Sequence, residues 1–293
     1  MPESERLSSG VPGLDERLGG GLVPGTLTVL LGATGIGKTQ LGIQFAAAGR
    51  MREGTPGVIF DMTARLDSQN HADYANRIAD WSLTEYPRRP FSPAGYFDES
   101  RAAGTYLHIF DQRGRRVTAR DLDFDAWHDW QAELAAKLNL TIDFFYGNFV
   151  RGVRRVVIDG IEPADRQSES VQHELFEYVF HQVLRKEATW VARDLFRESY
   201  RAHAAQIERH AYECGNIASL LLVTSHETML DELIARPLSN GDLLAAANTV
   251  IYMGKVREGG RLLRGLYIAK HRGSACSDEI AHYTIGERGL TLE

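Results

Sequence analysis

The chain has 293 residues, 43% hydrophobic and 25% charged, an ordinary globular composition with enough length for a large core. A formal net charge of -6 and a pI near 6.0 exclude any global attraction to nucleic acid or to an anionic membrane, leaving only local basic surfaces for such partners. The two cysteines, Cys214 and Cys276, stand far apart and outside any Cys-x-x-Cys or Cys/His grouping, which argues against a disulfide framework and a zinc site.

Met1 to Gly13 is polar and lacks an apolar signal core, and no window approaches the roughly 18 apolar residues of a membrane span. A cytoplasmic protein with no membrane contact is expected. Leu7 to Gly25 mixes Gly, Pro and Ser around a short amphipathic stretch, Leu14 to Leu18, and Thr26 to Leu31 then reads as a buried strand. A glycine-rich loop follows directly. Gln40 to Gly49 reads as a helix with Leu41, Phe45 and Ala48 on one face, and Val58 to Phe60 as a second strand after the turn at Pro56-Gly57, completing a strand–helix–strand unit.

Pro87 to Gly104 is punctuated by Pro and Gly and reads as a surface loop. Further short strands are predicted at Tyr106 to Phe110, Arg155 to Ile158, Ser219 to Thr224 and Thr249 to Met253. Between Ala164 and Cys214 there is no Gly or Pro, and Val171, Leu175, Val179 and Val183 keep a four-residue spacing, which predicts one long helix or a helical pair. A hairpin from Val256 to His271 across Gly259-Gly260 and a last strand pair near Ala281 to Leu292 close the chain. The pattern predicts an α/β fold, a mostly parallel central sheet with helices on both faces and a C-terminal β-hairpin region, in one domain over residues 1–293.

The run Gly32-Ala33-Thr34-Gly35-Ile36-Gly37-Lys38-Thr39 meets the pattern G-x-x-x-x-G-K-[ST], and Gln40 opens the helix that the pattern requires. Its glycines let backbone N–H groups wrap phosphates at a helix N-terminus, Lys38 is placed to reach the β- and γ-phosphates, and Thr39 to offer its hydroxyl to magnesium. ATP and Mg2+ are the expected ligands. Such a loop needs a second, acidic metal group at the end of a buried strand, and Arg154-Arg155-Val156-Val157-Ile158-Asp159-Gly160 supplies Asp159. Read alone, Asp159 would be a helix cap; paired with the loop upstream, it reads as a metal-shell residue. For orienting water the candidates are Asp61 and Glu162, with Asp61 better placed by topology and equally able to cap the following turn. Thr224-Ser225-His226-Glu227 reads either as a γ-phosphate sensor or as a helix-start capping box.

With these residues in view, the chain resembles the KaiC-like branch of the RecA-superfamily ATPases. The resemblance is carried by Gly10-Val11-Pro12-Gly13-Leu14-Asp15 with Gly19-Gly20-Gly21-Leu22-Val23-Pro24-Gly25, the glycine-rich loop, the Asp159 strand and the tail Lys270-His271-Arg272-Gly273. Glu174-Leu175-Phe176 and Tyr283-Thr284-Ile285 extend it. It implies a RecA-like P-loop fold and a homo-oligomeric, six-membered ring with ATP between neighbours. It also implies that Lys270 and Arg272 act in trans on the adjacent subunit's γ-phosphate, neutralising charge on the transferred group. Relative to the family, residues near 140–152 and 186–214 look like helical insertions. Where the family carries two adjacent glutamates after a phenylalanine, Phe60 is followed by Asp61 and Met62. Methionine accepts no proton and aspartate is one methylene shorter, so slow hydrolysis is expected.

The functional expectation is therefore a nucleotide-switched, oligomeric ATPase of regulatory or signalling type, with a protein partner of unknown identity. Three alternatives stand beside it. ATP-dependent binding of single-stranded DNA would need basic and aromatic residues in channel-facing loops, whereas the loops after Asp159 and Glu227 read acidic or neutral. A non-hydrolysing ATP-binding scaffold is motivated by Met62, and an autokinase by Ser168 and Ser170 near Asp159.

Overall fold

The run Leu27–Gly32 is buried at every position, a state that a strand reaches only at the centre of a sheet covered on both faces. In the computed structural model, which describes residues 6–63, 71–98, 101, 103–110, 124–163, 170–236, 243–273 and 275–293, this is β1, and a nine-stranded sheet is built around it. The chain enters through the short helix α1 (Leu14–Arg17), forms β1, then α2 (Lys38–Arg52), β2 (Val58–Asp61), α3 (His71–Ala79) and β3 (Tyr106–His108). Helix α4 (Phe124–Phe149) leads to β4 (Arg155–Ile161) and α5 (Val171–Val179) to a π-helical turn, Phe180–Leu184. Then follow α6 (Ala188–Phe196), α7 (Tyr200–Arg209), β5 (Ala218–Thr224), α8 (Leu230–Ala235), α9 (Leu243–Ala246), β6 (Thr249–Glu258), β7 (Arg261–His271), β8 (Ala281–Gly286) and β9 (Gly289–Leu292).

The strand order is β3-β2-β4-β5-β1-β6-β7-β8-β9. Pairings from β3 through β6 are parallel and those from β6 to β9 antiparallel, so the expected α/β architecture, a mostly parallel sheet with antiparallel strands at its C-terminal end, holds. Alternation along the strands sorts side chains onto two faces. Val29, Leu31, Phe60, Val156, Ile158 and Leu221 join one core with the apolar sides of α4, α5 and α6. Leu30, Ile59, Val157, Leu220 and Met253 join the other with α1, α2, α3 and the C-terminal strands. Among the described residues no helix is long and apolar enough to cross a membrane.

Two expectations need correction. The Gly- and Pro-free stretch is neither one helix nor two, because the chain turns at Glu187 (φ -59, ψ 144) and again at Arg197 (φ 47, ψ -117). These turns bring two separate apolar stripes, Leu175/Phe176/Val179/Val183 and Val191/Ala192/Leu195/Phe196, onto the same core, and tertiary burial overrides helix propensity there. The side chain of Val171 lies outside the described residues. The sixth strand and the first arm of the hairpin are one strand, β6, which pairs with β1 in parallel and with β7 antiparallel. Glycine at 254 lets the start of α8 lie close on β6, since a Cβ there would stand 2.7 Å from the backbone nitrogen of Leu230.

One polar contact ties the N-terminal segment, α2 and β4 together. Arg155, 1% exposed, donates from Nε and Nη2 to Glu53 at 2.6 and 2.9 Å and from Nη1 to the carbonyls of Ser8 and Phe45 at 2.6 and 2.9 Å. A buried guanidinium stripped of its carboxylate is an uncompensated charge. Glu53→Ala is expected to cost about 3–5 kcal/mol in urea unfolding, and Glu53→Ala with Arg155→Met to recover much of that loss.

Candidate functional site

Parallel strands bring their carboxyl ends to one edge of the sheet, where open α/β folds place their ligands. Register sets the composition of that edge: Gly32 pairs with Thr224 on one side and Met253 on the other, and Asp61 pairs with Asp159. The glycine-rich loop leaves β1 at Gly32 and enters α2 through Gly37, whose φ of 111° is open to glycine and strained for other residues. The C-terminal strands close over this loop from behind. Tyr283 donates to the Ile36 carbonyl at 2.7 Å, and the Gln44 amide both donates to and accepts from the backbone of Leu290 at 2.9 and 2.7 Å.

Lys38 is buried and turned back on the loop, donating from Nζ to the carbonyls of Gly32 and Ala33 at 2.7 and 2.9 Å. Burial lowers its pKa to about 8, against the opposing pull of the Asp159 carboxylate. Thr39 donates its hydroxyl to Asp159 Oδ2 at 2.8 Å. Asp159 itself is aimed by an irregularity in β4, where the pairing with β5 shifts register between Ile158 and Ile161. At that shift Gly160 has φ 106° and faces the Met62–Thr63 backbone just past the end of β2, where a Cβ would lie 2.4 Å from the Thr63 nitrogen. The loop, Lys38, Thr39 and Asp159 therefore converge on one point.

Asp61 lies beside them, 3% exposed. Its Oδ1 accepts the Thr63 N–H at 2.8 Å and its Oδ2 the Tyr106 hydroxyl at 2.6 Å. Burial first, and the Asp61 charge next, push the Tyr106 hydroxyl well above its ordinary range, so it stays a donor. Met62 points into the core with Phe60 and is fully buried. Glu162 is held through its backbone N–H, which donates to the Gln172 side chain at 3.3 Å. The Ser225 N–H donates to the Gly32 carbonyl at 3.0 Å and its hydroxyl to Glu227, a bond that also holds the Glu227 carboxyl below its usual range. Helix α8 starts only at Leu230 with Met229 as its cap, so Ser225 and Glu227 form no capping box for it.

Lys270 and Arg272 sit elsewhere. Lys270 pairs with Val250, itself level with Val29, three residues back from Gly32, or roughly 10 Å along the strand. There Lys270 donates to the carbonyls of Leu244 and Ala245 at 3.2 and 2.9 Å, and Arg272 to Ala245 at 3.5 Å. Both lie toward the opposite edge from their own chain's loop. Ser170 is buried at the start of α5, and Ser168 lies outside the described residues.

One member of the cluster was not read from the sequence. His71, the first residue of α3 and 3% exposed, stands with Nε2 3.1 Å from Asp159 Oδ2 and Nδ1 3.5 Å from Asp61 Oδ2. The available signal was the spacing His71, Ala75, Ile78 on one helical face, all three buried. Among the described residues no group of three or more His, Cys, Asp or Glu is arranged to hold a metal ion. A cation here would rest on Thr39 and Asp159 and take its remaining oxygens from phosphate and water, as magnesium does in nucleotide sites.

Comparison with known proteins reaches the N-terminal part of the chain, which includes the glycine-rich loop and Asp61. Residues 7–88 match the family model described as "ATPase: KaiC". The circadian clock protein KaiC2 of Synechocystis sp. is 36% identical over 74 residues, 25% of this chain and 13% of that protein. The UPF0273 protein MK0039 of Methanopyrus kandleri is 48% identical over 54 residues, 18% of this chain and 21% of that one. The chain thus spans about a fifth or less of the curated relatives it matches, and the likeness is one of the nucleotide-binding region.

The depressed pKa of Lys38 gives a signed expectation. Phosphate binding favours the protonated amine, so affinity for an ATP analogue should be nearly level below about pH 8 and weaken by up to about tenfold per unit above it. Stability of the nucleotide-free fold should move the other way, rising between about 8 and 10.5, because the folded chain gives up this proton before the unfolded one. A fluorescent-nucleotide titration and thermal unfolding, each across pH 7–10, check both slopes.

Proposed function

We propose that this KaiC-like chain binds ATP with magnesium, hydrolyses it slowly, and acts as an oligomeric regulatory protein whose assembly depends on the nucleotide. The observation that carries the reading is the Thr39–Asp159 hydrogen bond beside a buried Lys38 at the head of α2. In nucleotide-binding loops of this kind the hydroxyl and the carboxylate serve one cation, and two side chains from distant parts of the sequence meet here as that role requires.

On this reading the loop residues Gly32 to Thr39, with Gln40 behind them, present backbone N–H groups to the phosphates, and Lys38 exchanges its two carbonyl contacts for phosphate oxygens. Thr39 and Asp159 hold the magnesium ion, which supplies positive charge against the phosphates when bound. Asp61 organises the water side of the site. Lys270 and Arg272, remote from their own loop, serve the site of a neighbouring copy. Turnover is slow because the position after Asp61 is given to the core: Met62 packs beneath the sheet and offers the reaction no acceptor. Burial of Met62 also favours a second reading, an ATP-closed scaffold with no useful turnover.

Size-exclusion chromatography with light scattering, with and without Mg-ATP, combined with steady-state phosphate release and a Lys38→Ala control, separates the outcomes. The proposal expects an ATP-dependent oligomer and slow, Lys38-dependent release. Assembly without release would leave the scaffold, and a monomer indifferent to ATP would remove both the switch and the trans role of Lys270 and Arg272.

A further inference from the structure

Asp159 is the acidic end of the proposed cation site, and a carboxylate serves a cation well when hydrogen bonds from its surroundings fix its orientation. Two donors meet it from two different helices. The Thr39 hydroxyl at the head of α2 and His71 Nε2 at the start of α3 both reach Oδ2, at 2.8 and 3.1 Å. A carboxylate offers only acceptors, so Nε2 is the donor of the second bond. Among the described residues no donor reaches Oδ1, so the hold on this carboxylate runs through one oxygen. The contact at Nε2 is the closer of the two approaches that the ring makes to a carboxylate, since Nδ1 stands 3.5 Å from Asp61 Oδ2. The ring itself is held in place. Tyr106 lies against it with 5.5 Å between centroids, and Ala75 and Ile78 on the same face of α3 are buried in the core. Burying a polar ring costs free energy unless it is hydrogen-bonded, and the bond to Asp159 offsets that cost.

We infer that His71 is a positioning residue for Asp159: its Nε2–H and the Thr39 hydroxyl together pin Oδ2 from two helices, so that the carboxylate meets a cation in one preset orientation. The inference rests on the proposed magnesium-dependent binding of ATP and deepens it. It gives His71 no contact with nucleotide, water or metal. The affinity of the site for the metal then depends on a hydrogen bond outside the nucleotide's own contacts. The grip on the phosphates, which runs through the loop and Lys38, does not depend on that bond. What the site requires is a donor at the place of Nε2. A glutamine amide nitrogen reaches about that place, an asparagine amide only that of Nδ1, and phenylalanine keeps the flat ring with no donor.

The test uses the full chain as wild type, His71→Gln, His71→Asn and His71→Phe. Each is titrated calorimetrically with a non-hydrolysable ATP analogue in Mg2+ and in EDTA, below its thermal midpoint. In EDTA all four should bind within about threefold of one another, because the phosphate contacts are untouched. Mg2+ should tighten binding at least about tenfold in wild type, and His71→Gln should keep at least about half of that factor. In His71→Asn and His71→Phe the tightening should fall to about twofold or less, since losing a bond to a metal-holding carboxylate costs metal affinity about 10- to 100-fold. If His71→Phe does not fold, His71→Asn carries the comparison with His71→Gln. Wild-type tightening in folded His71→Asn or His71→Phe overturns the inference. So does a loss in His71→Gln equal to that in the other two, or a loss in EDTA that matches the loss in Mg2+. A wild type whose affinity is indifferent to Mg2+ overturns the magnesium reading and this inference together, so the two failures are told apart.

Discussion

The parallel register of four strands is the constraint from which the site follows. Because β2, β4, β5 and β1 run the same way and pair nearly level, Asp61, Asp159, Thr224 and Gly32 finish on one edge although they are up to 192 residues apart in sequence. The Thr39–Asp159 hydrogen bond is the contact that this register makes available. Two cores of alternating strand residues, one under α4 to α6 and one under α1 to α3, hold the register by burying both faces, so a slip in any strand would turn apolar side chains out of both cores. The Arg155–Glu53 pair adds a directional tie at the other end of β4, fixing α2 and therefore the loop at its head.

The elements closest to the loop were the most legible. An apolar run, a glycine-rich turn with a Lys-Thr pair and a helix are each recognisable over short distances, and Leu27–Gly32 with Lys38–Arg52 realise them. Asp159 was legible for a related reason, as the polar end of an otherwise apolar strand. His71 was not, because a single histidine gains meaning only when a helix start brings it between two carboxylates from different strands. The three-piece helical region between 171 and 209 was misread because its turns at Glu187 and Arg197 lack the Gly or Pro that would announce them. Lys270 and Arg272 show the opposite case: their motif suggested a phosphate contact, whereas the sheet sets them toward the edge away from their own loop, on the carbonyls of Leu244 and Ala245.

The departure at Asp61-Met62 gives the site its particular character. One position is kept polar, shortened and braced by Tyr106; the next is given wholly to packing. The polar contacts around Lys38, Thr39 and Asp159 are kept, while the position after Asp61 offers no polar side chain. Behind the loop, Tyr283 and Gln44 tie the C-terminal strands to the loop crest and to α2.

The most direct test of the central claim, that Thr39 and Asp159 form the metal edge of a nucleotide site, is calorimetric titration of wild type and Asp159→Asn with a non-hydrolysable ATP analogue, in Mg2+ and in EDTA. The two proteins should bind alike in EDTA, and Mg2+ should tighten binding at least about tenfold in wild type and much less in Asp159→Asn. Affinity indifferent to Mg2+ in the wild type, or equal tightening in both proteins, would contradict the account.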